Sequence, residues 1–236
     1  MKKLSMFLFA LGIVFSANAQ FSRFLENGKS GIGINALAET AGTGKEFTGV
    51  GAEMGYTYKG KFDLHGMIAF DGYDEKALGL SSDKANSKYY EVVLTYWLFR
   101  KQVIPEINVN IGLYAGYAGS NYKDYLYFDN EDNDIAELKS FSEGMIGIMT
   151  TMNFKLTESW YFEPSMRLRY EMGSETAFDN NITKKHDFNG LTQEIGLFLF
   201  KRLDKGNAFN VGTRMLSDSY GSSNFYQFSV GYVIAL

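Results

Sequence analysis

From Tyr226 to Leu236, apolar and aromatic side chains occupy every second position. Tyr226, Phe228, Val230, Tyr232, Ile234 and Leu236 alternate with Gln227, Ser229, Gly231, Val233 and Ala235. A period of two sends one set to one face of an extended strand and the other set to the opposite face. The same rule holds over 48–58, where Val50, Ala52, Met54, Tyr56 and Tyr58 alternate with Gly49, Gly51, Glu53, Gly55 and Thr57. It holds again over 106–117 on Ile107, Val109, Ile111, Leu113 and Tyr117, and over 160–172 on Trp160, Phe162, Pro164, Met166, Leu168, Tyr170 and Met172. Segments near 30–38, 62–71, 89–99, 143–154, 191–200 and 208–216 follow it less cleanly. The pattern predicts about ten strands, each with one apolar face and one small, polar or charged face.

The connections sort by length. Short ones are expected at Lys59-Gly60-Lys61, Arg100 to Ile104, Lys155 to Ser159 and Lys201 to Gly206. Longer ones fall near 39–47, 72–88, 119–141, 173–189 and 217–223. Short and long alternate along the chain. Transmembrane barrels have short periplasmic turns and longer extracellular loops, whereas a Greek-key sandwich has no reason to sort its connections so. The expected fold is therefore all-β: a transmembrane antiparallel up-and-down β-barrel with the apolar faces turned out to lipid.

Residues 1–19 read as a cleaved export signal, with Lys2 and Lys3 ahead of an apolar run from Leu4 to Phe15 and the small-x-small pattern Ala17-Asn18-Ala19. That run is too short for a membrane-spanning helix. Residues 20–236 then form one barrel domain, expected in the cell outer membrane. There is no Cys, so burial and strand closure must hold the fold. Tyr 16, Phe 20 and Gly 25 suit a barrel, with aromatics at both interfaces and glycine where the lumen is crowded. The formal charge of −4 offers no basic surface for nucleic acid.

In these features the chain resembles the small porin-like outer-membrane β-barrels, the OmpA- and OmpX-type group, over Phe21 to Leu236. The resemblance is one of pattern rather than of a diagnostic motif. It implies outer-membrane lipid and the barrel assembly machinery as partners, and no cofactor. Such barrels often end in an aromatic residue, and Leu236 departs from that form.

The inward set expected from the alternation is Glu53, Asp63, His65, Asp71, Glu91, Glu106, Glu143, Glu163, Arg167, Arg169, Glu171, Glu194 and Arg214. Counting back from the short turns places Met145 opposite Arg169, with Glu143 one diagonal step away, and Glu194 nearly level with Arg214. Two roles follow. The charges fill the lumen and fix register, or they line a narrow, cation-preferring path.

Enzymatic readings find little support in the residues. His65 with Asp63 and Glu53 is a carboxylate–histidine group, but a polar lumen residue accounts for it more simply. His186-Asp187 echoes the rim residues of ten-stranded outer-membrane proteases in strand number only, and the Ser–His pattern of outer-membrane lipid hydrolases is missing. The acidic run Asp129-Asn130-Glu131-Asp132-Asn133-Asp134 fails the EF-hand pattern, and Gly42-Thr43-Gly44-Lys45 fails the phosphate-loop spacing. Tyr122, Tyr125, Tyr127 and Phe128 suit either ligand capture or an aromatic girdle. The leading expectation is a non-enzymatic outer-membrane barrel, structural or narrowly porin-like. The alternative is a surface-binding or adhesion protein acting through 119–141 and 173–189, and an outer-membrane hydrolase comes third.

Overall fold

The computed structural model describes residues 28–41, 47–73, 85–129, 134–179, 182–203, 206–218 and 225–236. The export segment 1–19, Gly42-Thr43-Gly44-Lys45 and residues 130–133 of the acidic run lie outside the described residues.

Ten antiparallel strands form one closed sheet. They are β1 (Gly31–Ala41), β2 (Phe47–Tyr58), β3 (Phe62–Tyr73), β4 (Ala85–Ile104), β5 (Ile107–Asp129), β6 (Asp134–Lys155), β7 (Trp160–Asp179), β8 (Ile182–Arg202), β9 (Ala208–Asp218) and β10 (Phe225–Ala235). Each strand pairs with its sequence neighbours, and β1 pairs with β10 from Gly31↔Ala235 to Ala41↔Phe225, which closes the ring. Closure removes both sheet edges from the part of the wall that meets hydrocarbon, which has no water to satisfy a free backbone group.

The faces divide as the alternation predicts. Val50, Met54, Leu64, Val92, Leu94, Leu113, Ile146, Ile148, Leu168 and Val230 point outward and are exposed, Val50 to 64%. No soluble protein gains by presenting such a continuous apolar belt to water. Aromatic side chains edge it on both sides. Near the short turns Phe62 and Tyr96 stack at 4.9 Å and Phe154 and Phe162 at 6.3 Å, while Tyr90 and Tyr117 meet at 6.4 Å toward the other rim. This is a transmembrane β-barrel, and the small polar and ionic side chains are enclosed within it.

The short turns have local causes. Lys59 and Gly60 both adopt positive φ, 50° and 63°, and the Lys61 N–H donates to the Tyr58 carbonyl at 3.0 Å. Two left-handed residues in succession give the hairpin turn whose twist matches that of the flanking strands. Between β6 and β7, the Leu156 N–H donates to the Trp160 carbonyl at 2.9 Å. The Thr157 hydroxyl oxygen accepts from the N–H groups of Ser159 at 3.3 Å and Trp160 at 3.2 Å. Thr157→Ala should cost about 0.5–1 kcal/mol, read as a lower urea midpoint for the folded gel band, with the barrel otherwise intact. Pro164, with no N–H to donate, coincides with the break in the β6–β7 ladder between Thr151↔Ser165 and Phe154↔Phe162.

The long connections lie at the expected end, but two are built as strand. β5 and β6 continue as a ladder to Asp129↔Asp134, and β7 and β8 to Asp179↔Ile182. The described pairing of β8 with β9 starts only at Thr192↔Asp218. A four-stranded wall from β5 to β8 therefore rises above the neighbouring rim by about 25 Å at strand rise and ordinary tilt. Its outer face is mostly polar, with Phe178 also exposed on it, and its inner face mixes apolar side chains with buried Glu175. On upper β8 the outward residues are Lys185, Asp187 and Asn189, all exposed, and half-buried Phe188 is on the inner face. Water, not lipid, bathes this part of the sheet.

Candidate functional site

Two features are candidate sites: the charged interior and the projecting wall. Strand parity turns Glu53, Asp63, His65, Asp71, Glu91, Glu143, Glu163, Arg167, Arg169, Glu171, Glu194 and Arg214 inward, and all are buried. Glu106 is the exception. It lies between Pro105 and Ile107 in the β4–β5 turn and is exposed, because β4 runs to Ile104 and leaves only a two-residue connection. Its backbone carbonyl accepts from the Lys155 N–H at 2.7 Å; its side chain is not part of the interior.

Arg214 on β9 is the hub of one network. It donates to both oxygens of Glu53 on β2, at 3.2 and 3.4 Å, and to the Gln227 amide oxygen at 2.6 Å. Gln227 in turn donates to Glu39. Glu53 also accepts from Asn35 at 2.6 Å, and Asn35 accepts from Asn210 at 3.2 Å. These bonds tie β9, β10, β1 and β2 together around the closing seam. Arg214 and Glu53 are each 1% exposed, so their attraction acts with little screening and neither ion is left bare.

The opposite wall carries a second set. Arg167 donates to Glu194 at 3.4 Å and lies over the Tyr114 ring at 4.9 Å. Arg169 pairs with Glu171, which accepts from the Thr192 hydroxyl at 2.8 Å. Both arginines lie in electrostatic range of Glu91 on β4, across the lumen, and Glu91 also accepts from Tyr89 at 2.8 Å. Nearer the short turns, Trp97 donates to Asp63 at 2.7 Å, Asn153 to Glu163 at 3.2 Å and Asn110 to Thr151 at 2.9 Å.

The β6–β7 pairings differ from those counted back from the turn. Arg169 stands opposite Gly147 and Met145 opposite Glu171, since the β6–β7 turn is centred one residue later than expected. Each one-residue displacement of a turn moves every partner by two. Glu143 faces Gly173. It lies in electrostatic range of Glu171, Arg169 and Glu91, and neither of its carboxylate oxygens has a hydrogen bond among the described residues. Glu194, opposite Leu216, and Arg214, opposite Gly196, are one diagonal step apart, nearly level as expected. Asn35 and Gln227 fall on the inward faces that parity predicts, whereas Glu39 falls in the connection expected near 39–47 and is in fact part of β1.

His65 sits between two carboxylates. Its Nε2 is 3.8 Å from Glu53 and its Nδ1 is 3.8 Å from Glu91, beyond hydrogen-bond reach on both sides. Asp63, expected as its companion, is held by Trp97 instead. No group of three or more His, Cys, Asp or Glu side chains is arranged to hold a metal ion among the described residues. On the wall, His186 and Asp187 point to opposite faces of β8, as neighbours on a strand must; His186 stands opposite buried Glu175.

Apolar side chains share the interior with the charged ones. Tyr122, Leu138, Phe141 and Ala177 are buried toward the projecting wall, with Phe188 packed against them. Phe198, Phe200, Ala208 and Val233 form a separate cluster toward the short turns. The first cluster also takes in Val93, Trp97, Tyr114, Met145 and Met149, so apolar and charged side chains share the same levels of the interior.

No protein-family model matches this chain, and no curated protein matches it. Among solved structures it is similar to the translocator domain of the autotransporter NalP from Neisseria meningitidis, at 11% identity and a TM-score of 0.48, covering 89% of each chain. It is also similar to Ail, the attachment invasion locus protein of Yersinia pestis, at 11% identity and a TM-score of 0.35, covering 89% of this chain and 100% of that one. A third is the outer membrane protease OmpT from Escherichia coli, at 9% identity and a TM-score of 0.40, covering 87% of this chain and 95% of that one. These are likenesses of fold, and no activity follows from them. The wall's own chemistry is what places the chain: a closed antiparallel barrel of even strand number with an apolar belt and aromatic girdles is the form of bacterial outer-membrane barrels.

Proposed function

We propose that this protein is a non-enzymatic outer-membrane barrel with a structurally filled lumen, and that it meets its surroundings through the wall of β5 to β8. The observation that carries the reading is the bonding of Arg214 to Glu53, of Arg167 to Glu194 and of Arg169 to Glu171 within the enclosed interior. A conducting path needs hydrated charges that release an ion as readily as they bind it. Here the arginines are occupied by carboxylates, and apolar side chains pack against them, Tyr114 and Met149 on Arg167 and Phe198 on Arg214. A ten-stranded barrel is close in size to the eight-stranded barrels that side chains fill completely.

Planar-bilayer recording of the refolded protein should be silent, without resolved current steps. Regular cation-preferring steps would overturn the filled-lumen reading. The wall has its own test. Replacing residues 122–139 by Asn-Gly joins Asn121 to Ser140, which already face each other, through a favoured hairpin turn. Replacing residues 175–186 does the same between Ser174 and Asp187. Each shortened barrel should keep its heat-modifiable gel mobility, since the belt and lumen network are untouched, and should lose adherence to host cells or matrix shown by the full chain. Adherence unchanged in both would remove the wall from the proposal. A hydrolytic activity abolished by His65→Ala or His186→Ala would replace the proposal altogether.

A further inference from the structure

The chain is net negative, at −4, yet its short-turn end is cationic. Lys29 leads into β1, Lys59 and Lys61 lie in the β2–β3 turn, and Lys101 and Lys201 lie near the ends of β4 and β8; all five are exposed. The exposed acids among the described residues here are Glu106 and Glu158, and Glu158 is taken up by Lys155 at 2.8 Å. Arg100 turns inward instead, donating to the Gly60 carbonyl at 2.6 Å. The exposed lysines therefore form a ring in which basic side chains outnumber acidic ones, five to two among the described residues.

The ring is continuous with the membrane belt. The Lys59 ammonium lies 5.1 Å from the Tyr58 ring and the Lys201 ammonium 5.5 Å from the Trp160 ring. Tyr58, Phe62 and Tyr96 are exposed aromatics of the lower girdle, at the depth where lipid headgroups begin. A lysine stem along such a surface keeps its apolar carbons in the interface and sends its ammonium to the phosphate layer. We propose that this rim is a binding collar for anionic phospholipid headgroups of the leaflet at the short-turn end. Charge complementarity and adjacency to the hydrocarbon belt select that occupant, and the proposal stands independently of what the β5–β8 wall binds.

The test is native mass spectrometry of the refolded full barrel after equilibration with equal phosphatidylglycerol and phosphatidylethanolamine in neutral detergent. The wild type should retain phosphatidylglycerol with about threefold or greater enrichment. Lys59→Gln, Lys61→Gln, Lys101→Gln and Lys201→Gln combined should bring the two lipids to parity, while arginine at the same four positions should preserve the enrichment. Glutamine at Lys88, Lys123 and Lys139, toward the other rim, should leave it unchanged. High salt on the wild type gives the same reading with no variant to fold: the enrichment must collapse. Millimolar inorganic phosphate must leave it standing, because a site for free phosphate alone would be emptied by competition. Equal retention of both lipids by the wild type, enrichment that survives the glutamine set or high salt, or loss of enrichment to inorganic phosphate would each overturn the proposal.

Discussion

Replacing Arg214 with methionine should cost the barrel about 3–5 kcal/mol, the usual penalty for leaving a buried ion without its partner. Methionine keeps much of the side-chain volume and its contact with the Phe198 ring, which the guanidinium now faces at 5.3 Å. What it cannot keep is the set of donors to Glu53 and Gln227. Glu53 would retain Asn35 as a donor, with His65 still 3.8 Å away. The measurement is the urea midpoint of the folded gel band in lipid vesicles. Adding Glu53→Gln to the same chain should recover most of the loss, because the orphaned charge goes with it. If the double variant is no more stable than the single one, Arg214 serves by packing and not by neutralising Glu53.

Gly231→Val is expected to be nearly as damaging, at about 3 kcal/mol, in the range for overfilled interiors. A Cβ at position 231 would sit 1.4 Å from the Asn35 side-chain oxygen and 2.6 Å from the Ile34 carbonyl. The asparagine can rotate away only by abandoning Glu53 and Asn210; the carbonyl cannot move without opening the β1–β10 pairing. Gly231 lies opposite Asn35 in that pairing, so the strain falls on the seam itself. Gly144→Ala is the matched control: its Cβ would meet nothing within 4 Å, and the folded band should persist at the wild-type midpoint.

The ten strands and their inward and outward faces could be read from the residues because lipid imposes a strong contrast on them. Hydrocarbon outside Leu64, Leu94, Leu168 and Val230 allows no polar substitute, while the enclosed side tolerates Glu, Arg and Gly. Above the bilayer that contrast is lost, with Phe188 and Glu175 in, and Lys185, Asp187 and Phe178 out. The upper parts of β5 to β8 thus read as loops although they are paired strand. Within the lumen, parity told which side chains face in but not which of them meet. Hairpin counting finds partners on adjacent strands only, and it failed even there when the turn after Lys155 proved to be centred a residue later. Glu53 and Arg214 are separated by 161 residues and two intervening strands, a distance no local pattern spans. Glu106 was misplaced for a plainer reason, since the alternation was extended one step into a turn.

The seam network constrains how this sheet can enter a bilayer. Arg214 and Glu53 acquire each other only when the first and last strands meet. An unzipped sheet carrying either one would press a lone ion against acyl chains, at roughly 2–4 kcal/mol for an arginine at the midplane. Stepwise insertion, one hairpin after another, would meet that barrier twice. Curling the sheet until its two margins touch before it sinks avoids the barrier, and makes the ion pair a latch that only a completed cylinder can fasten.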